Sequence, residues 1–344
     1  MLHARLAEMR ALRELPDPTK NKIFPVIKGR PWLNALSLDR VYEVISESYP
    51  ERAYALDLDS TKLDIASDKP SAKEFAALFD AGDGYANYYG KVGDLDFAVP
   101  VLRYHPPAPL QLDRQLDHVQ ALDRGVIIRV LADAPGPVSD IAERCTARAV
   151  DNAVYLIDGG WGRDLLLKAA ICVGLADSIL DFDEDAEIVI GGSSFPDSFA
   201  KKGDRFLTSI LERPLFGEVR RNINRGNLFY GDWGSTRPPT EPVPMRNVPR
   251  VDMPMSANWL SWRSDGDEDY EDLAIRAVQD SEWSGGLGIW GEYMIESTAE
   301  GLVPAIKSPA MAAAVRVNMH MHLQANLDTP DDLIVPDEPF DEGL

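Results

Sequence analysis

Cysteine and histidine are scarce in this sequence of 344 residues, at two and five, and their placement excludes most of the chemistry they could support. Cys145 and Cys172 lie in separate segments of helical period with no ligand-like partner nearby, which argues for buried free thiols in a reducing compartment and against a redox pair or zinc site. His320 and His322 are two apart in a helical stretch, so they cannot share a face as a metal pair. Cations are few as well: 35 Lys and Arg stand against 56 Asp and Glu, a formal charge of −21. A surface of that sign repels polyanions, and general binding to DNA or RNA is disfavoured. No apolar run reaches membrane-spanning length; the longest candidate, Leu165–Ala176, contains Lys168. Residues 1–15 intersperse Leu6, Met9 and Leu12 with charge and lack the apolar centre of a signal peptide, so the expectation is a short surface helix on a cytoplasmic protein. Nucleotide signatures are missing too. There is no G-x-x-x-x-G-K-[ST], and the G-x-G-x-x-G at Gly286–Gly291 follows no strand-like run. Gly191-Gly192-Ser193-Ser194 has the look of a phosphate-contacting turn, but no G-x-S-x-G elbow or Ser/His/Asp set accompanies it.

What is present is alternation. Hydrophobic residues make up 45 % of the chain, enough for a large core. Eight short apolar runs occur at Ile23–Ile27, Ala53–Leu58, Phe97–Leu102, Val126–Leu131, Ala153–Ile157, Glu187–Ile190, Asn227–Tyr230 and Asn258–Trp262. Segments of helical period separate most of them: Leu38–Ser48, Ala72–Phe79, Gln111–Leu122, Val138–Ala149, Arg163–Leu180 and Arg205–Ile223, with Tyr270–Gln279 after the last. Strands alternating with helices imply right-handed crossovers and a parallel sheet, and eight of them fit a closed (β/α)8 TIM-like barrel. Between the seventh and eighth runs, Thr236–Met255 holds six prolines, so an irregular loop is expected in place of the seventh helix. The domain reading is an N-terminal helix over 1–20, a barrel over 21–327 that ends in a helix at Ser308–Leu327, and a disordered acidic tail over 328–344.

Three short motifs, Phe24-Pro25-Val26-Ile27-Lys28-Gly29-Arg30, Leu56-Asp57-Leu58-Asp59 and Tyr230-Gly231-Asp232-Trp233-Gly234-Ser235, carry a resemblance to the phage-type beta protein family. The likeness runs from about Lys22 to the helix after Ser308. It implies a phage, prophage or defence-island origin and a protein acting in the cytoplasm during infection; it carries no catalytic residue or cofactor with it.

In a barrel, functional residues project from the C-terminal ends of the strands. Reading those ends yields Asp57, Asp59, Asp158 and Asp232 as candidate catalytic acids or bases, and Lys28, Arg30, Arg103, His105, Arg129 and Arg263 as candidate ligand-binding groups. Asp133 and Ser193 read more simply as helix caps. Asp57 and Asp59 are two apart on one strand and share a face; if Leu56 and Leu58 point to the helices, both acids point to the barrel axis, where a pair of carboxylates shares a proton or binds a cation such as Mg²⁺. Lys28, on the neighbouring strand, belongs at a similar height. Arg129 lies inside an apolar run and must pair with Asp57, Asp59 or Asp158 if it points inward. Asp158 and Asp232 each have glycine beside them, which admits a ligand or an unusual turn. Trp233, Trp259, Trp262, Trp283 and Trp290 read as packing more than as a stacking platform. Two functions fit these residues: hydrolysis or transfer on a phosphate-bearing, anionic small molecule, with or without Mg²⁺, or a non-catalytic scaffold that contacts a protein partner in phage–host conflict.

Overall fold

Seven of the eight apolar runs become parallel strands, and the eighth does not. The computed structural model of the chain describes residues 1–104, 110–199, 203–237 and 248–335. One parallel sheet takes β1 (Leu2–His3), β2 (Val26–Gly29), β3 (Tyr54–Leu58) and β4 (Ala98–Pro100) in that order. Between β7 and β9 the chain forms β8 (Arg205–Ser209), and the second parallel sheet takes β5 (Val126–Leu131), β6 (Ala153–Trp161), β7 (Glu187–Ser193) and β9 (Asn227–Tyr230). A single parallel bridge, Val101 to Ile127, joins the two, with the Leu102 amide donating to the Ile127 carbonyl at 2.9 Å. The parallel strands thus fall into two four-stranded sheets, where the sequence suggested one continuous closed sheet.

The third sheet is antiparallel, in the order β10 (Arg250–Pro254), β11 (Asn258–Arg263), β8. It corrects three expectations. The run at Asn258–Trp262 is no barrel strand; it pairs antiparallel with β10 on one side and β8 on the other, which leaves neither edge for a parallel neighbour. The stretch Arg205–Ile223 is not one helix but β8 followed by α9 (Glu212–Asn222). Burial alternates along β8, with Phe206 and Thr208 buried between exposed neighbours, a period of two that a five-residue segment cannot distinguish from a helical face by composition alone. Pro214 then sits in the first turn of α9, where no backbone donor is required. Within Thr236–Met255, expected to be irregular, Arg250–Pro254 is a strand, and residues 238–247 lie outside the described residues.

The other helices are α1 (Leu6–Arg13), α2 (Asp17–Lys20), α3 (Asp39–Ser48), α4 (Pro70–Ala77), α5 (Ala86–Gly93), α6 (Leu112–Leu122), α7 (Val138–Ala147), α8 (Leu165–Leu180), α10 (Tyr270–Val278), α11 (Trp290–Ala299) and α12 (Pro309–Ala325). Several begin where local chemistry dictates. Asp164 accepts the Leu167 amide ahead of α8, Ser308 accepts the Met311 amide with Pro309 opening α12, and Asp269 and Asp272 form a reciprocal capping box on α10.

Alternation along the parallel strands sorts the core into layers. Leu56, Leu58, Ile128, Val130 and Ile157 pack among the helices in the main core. Val26, Ala55, Val101, Ile127 and Leu156, from the opposite face, form a separate small cluster of their own, with Met1, Val154 and Val189 against it. Another core lies under β10 and β11 with α10, α11 and α12. Helix α12 serves two cores, placing Val317 and Met321 in the main one and Val315 and Met319 in the other. It also carries two polar stripes at four-residue spacing: Arg316, His320 and Gln324 meet Asp252, Asp232 and Arg213, whereas Asn318, His322 and Asn326 meet Ala11, Thr19 and Lys22.

Both chain ends are tied in. The segment expected as a helix over 1–20 begins with β1, which pairs Leu2 with Ile27 and His3 with Lys28 before α1 starts. Asp332, in the segment expected as a disordered tail, ion-pairs Lys22 at 2.7 Å, and the Val335 amide bonds the Leu287 carbonyl; residues 336–344 are outside the described residues. Among the described residues no helix is long and apolar enough to cross a membrane. Cys145 and Cys172 are free and buried, and burial pushes both thiols up to about 11.

Candidate functional site

On five of the parallel strands, two residues beyond an inward apolar residue, the same face turns ionic. Val26 is followed by Lys28, Ala55 by Asp57, Val101 by Arg103, Ile127 by Arg129 and Leu156 by Asp158. All five side chains converge at the C-terminal ends of the strands. Lys28 and Asp57 are register partners, 3.5 Å apart. Asp57 Oδ1 accepts Arg103 at 2.7 Å and the Leu58 amide at 2.7 Å, and Oδ2 accepts Arg129 at 3.2 Å. Arg129 also grips Asp158 Oδ2 through two donors, at 2.6 and 3.2 Å, while Asp158 Oδ1 accepts the Gly160 amide at 3.0 Å and the Trp233 indole at 3.1 Å. The Trp233 ring lies over this layer, with Arg129 5.4 Å and Lys28 6.0 Å from its centroid.

The supports are visible in the local sequence. Gln115 of α6 clamps both backbone polar groups of Arg103, and the guanidinium stacks 5.4 Å from the rings of Phe79 and Tyr88. Gly160 is needed for its left-handed φ of 63°, which returns its amide to Asp158. At Gly231 a Cβ would meet Val189 Cγ1 at 2.7 Å, so the glycine beside Asp232 admits β7 and not a ligand.

Burial alone would push the Asp57 carboxyl up; Lys28, then Arg129 and Arg103, outweigh it and hold it well below the usual carboxylate range. For Asp158 the same burial is overcome by Arg129 and Trp233. Burial lowers the Lys28 ammonium, Asp57 opposes, and Arg129 lowers it further.

More charge lies beside this layer. Asp59, fully buried, stands 3.6 Å from Arg30 and 3.7 Å from His3 Nδ1, and the His3 ring lies tilted against Trp233, centroids 5.3 Å apart. Asp57 and Asp59 are engaged by different bases, Lys28, Arg103 and Arg129 at the first and Arg30 and His3 at the second. Each oxygen of Asp57 and Asp158 already accepts at least one hydrogen bond, and among the described residues no three His, Cys, Asp or Glu side chains gather as a metal site. Burial, with Arg5, Lys28 and Arg30, pushes His3 down to about 2, so its ring is neutral.

The remaining candidates are elsewhere. Asp232 binds His320 of α12 at 2.9 Å, Tyr230 at 2.7 Å and the Gly234 amide, while its carbonyl accepts the Met1 ammonium. Arg263 corrects the expectation of a basic cradle between the first and eighth strands: it ends β11 and lies opposite Arg250 in the antiparallel sheet. His105 lies outside the described residues. Asp133 is exposed, Ser193 donates to the Thr236 carbonyl, and Ser194 is held by Glu212, so that glycine-serine turn is spent on internal bonds. The amides of Leu287 and Gly288 in the G-x-G-x-x-G are likewise taken by Glu292. Sequence reasoning missed His3, placed in an expected helix, and Trp233, read as packing. His3 lies on a strand of two residues, too short to show a period, and Trp233 lies in the turn after β9, outside any strand.

No solved structure matches the chain. It is 27 % identical to "Protein beta" of Enterobacteria phage P4, over 95 % of this chain and 92 % of that protein. The family model described as Beta protein matches residues 1–326, from β1 through the end of α12, and the chain therefore belongs to the Beta protein family.

Proposed function

We propose that the chain is a phage-associated protein whose parallel strands form one closed (β/α)8 barrel, and that the C-terminal end of this barrel binds a phosphate-bearing or otherwise anionic small molecule. Closure is supported by strand order, with the Val101 bridge continuing β4 into β5, by the Met1 ammonium reaching the Asp232 carbonyl just past β9, and by α12 packing on α1. In this reading β1 is a barrel strand, and the antiparallel sheet is built from excursions after β7 and β9. The observation that carries the function is a charge imbalance. With the adjoining Arg30–Asp59 pair, the layer holds Lys28, Arg30, Arg103 and Arg129 against Asp57, Asp59 and Asp158. Burying an uncompensated cation is costly, and an anion offsets that cost. Arg129, its side chain 14 % exposed, is where the layer meets solvent.

Thermal denaturation with inorganic phosphate, ribose 5-phosphate and nucleotides, with and without Mg²⁺, tests the reading. A ligand at a hundredfold its Kd adds about 2.7 kcal/mol of stability. The expected result is an anion-dependent rise in Tm that Lys28→Met removes; a flat response to every anion defeats it. A scaffold role has one observation of its own: α8 turns Leu166, Leu167 and Ile171 to solvent, an apolar face suited to a protein partner. Anion insensitivity together with partner capture that Leu166→Ser and Leu167→Ser abolish would favour that second reading.

A further inference from the structure

The ionic layer contains one cation that its acids do not need. Asp57 is satisfied by Arg103, Arg129 and the Leu58 amide, at 2.7 to 3.2 Å. Lys28 Nζ stands off at 3.5 Å from an oxygen that Arg129 already occupies, and among the described residues it makes no hydrogen bond. Arginine stays charged in any protein setting, whereas lysine surrenders its proton when buried beside other cations and becomes a nucleophile. A second observation points to a ligand at the same place. The Oδ2 of Asp59 and the Nδ1 of His3, 3.7 Å apart, are both buried without a hydrogen bond. Each such orphan costs about 1–3 kcal/mol, and native interiors leave few of them. They lie beside Lys28: His3 is its register partner on β1, and His3 and Lys28 both contact the Trp233 ring.

We propose that Lys28 is a nucleophilic amine that forms an imine with the carbonyl of an anionic aldehyde or ketone, with His3 beside the carbonyl oxygen and Asp59 orienting the His3 ring. This rests on the anion-binding reading above and names its substrate class. The ammonium first loses a proton to solvent. The amine lone pair then attacks the carbonyl carbon, a C–N bond forms, and the C=O π pair moves to oxygen. His3, neutral, has one donor and one acceptor nitrogen; it takes the N–H proton at one and returns its own to the oxygen from the other. The remaining N–H proton is lost to solvent and solvent protonates the hydroxyl, which leaves as water as the C=N bond forms. Amine and carbonyl give imine and water, so no oxidant or reductant is consumed. Arg129 and Arg30 flank the reacting atoms and hold the carboxylate or phosphate of the substrate.

Reductive trapping tests this on the full chain. The protein is incubated with sodium cyanoborohydride and either glyoxylate, an anionic aldehyde, or glycolaldehyde, a neutral one, and the modified lysines are mapped by mass spectrometry. Lys28 is expected to be modified at least about tenfold faster than the exposed Lys73, and faster by glyoxylate than by glycolaldehyde. Lys28→Arg, its fold checked by near-ultraviolet circular dichroism, should lose that adduct and keep surface labelling unchanged. His3→Phe should keep the adduct but form it about a hundredfold more slowly. An unmodified Lys28 beside labelled surface lysines overturns the proposal, even where phosphate raises Tm, and leaves the anion site standing. Equal labelling of Lys28 by both aldehydes upholds the amine and removes the anion preference. An unchanged rate in His3→Phe removes the role given to His3.

Discussion

Asp57 and Asp252 are both buried carboxylates held by two arginines, yet their surroundings are built on opposite principles. Asp252, in the antiparallel sheet, accepts Arg250 at 2.7 and 3.0 Å, Arg316 at 2.8 Å and Ser261 at 2.6 Å; Arg316 spends another donor on the Ser235 carbonyl. The arginines lie over Phe195 and Phe199, and neither they nor Asp252 and Ser261 leave a buried polar atom orphaned. Around Asp57 there is a third cation, and orphaned atoms remain on Arg103, His3 and Asp59. A network whose charged groups are all matched serves the fold, and in the Asp252 network only the neighbouring Ser235 hydroxyl is left without a partner. One with charge and valence to spare is prepared for something else, and the difference is legible only by accounting for each donor and acceptor.

The comparison breaks most forcefully at the carboxylates themselves. Removing one partner of a buried ion pair costs about 3–5 kcal/mol because the other charges remain uncompensated. Asp57→Asn strands three cations and Asp252→Asn two, so urea denaturation should show the larger loss for Asp57→Asn; an equal or smaller loss would mean that the charge imbalance around Asp57 has no energetic meaning.

A smaller effect sharpens the contrast through pH. His3 in the folded protein titrates at about 2, against 6.5 when unfolded. Its folded value is depressed, so the unfolded chain binds the extra proton: the stability tied to a neutral His3 is fully present above 6.5 and is lost as pH falls toward 2. The slope is about 1.4 kcal/mol per pH unit for one proton. Stability measured from pH 6.5 to 4.5 should therefore fall more steeply in wild type than in His3→Phe by that amount, since His322 and the carboxylates titrate in both. Parallel profiles would show that His3 is not held neutral.

The smallest effect belongs to the exposed face of α8. Leu166 is 74 % exposed, and Leu166→Ser should alter the unfolding free energy by no more than about 0.5 kcal/mol, whereas Leu56→Ala, deep in the main core, should cost about 2–5 kcal/mol. A loss for Leu166→Ser comparable with that of Leu56→Ala would show that the helix is already covered in solution.

Much of this architecture follows from local pattern. The β-branched runs at Val126–Leu131 and Glu187–Ile190 could hardly be other than buried strands, and alternation across Leu56 and Leu58 was enough to turn Asp57 toward Lys28 and Arg129. The misreadings have a common cause. β1 is two residues long, β8 is five, and Asn258–Arg263 has the composition of a parallel strand; in each case the partner, and not the segment, decides the outcome. The same holds for Arg263, whose place at a strand end was right and whose strand was in another sheet.

By itself, then, the amino-acid sequence determined which residues alternate, which segments cap and begin helices, and that an arginine inside an apolar run must find a carboxylate. These are consequences of side-chain periodicity and desolvation, which act within a few residues of chain. Only the tertiary structure decided that Met1 and His3 lie against Trp233 and Asp232, more than two hundred residues away, that Arg103 completes the ionic layer, and that Lys28 is left over. Those facts depend on which distant strands meet and in what register, and a one-residue change of register would turn every one of these side chains to the opposite face.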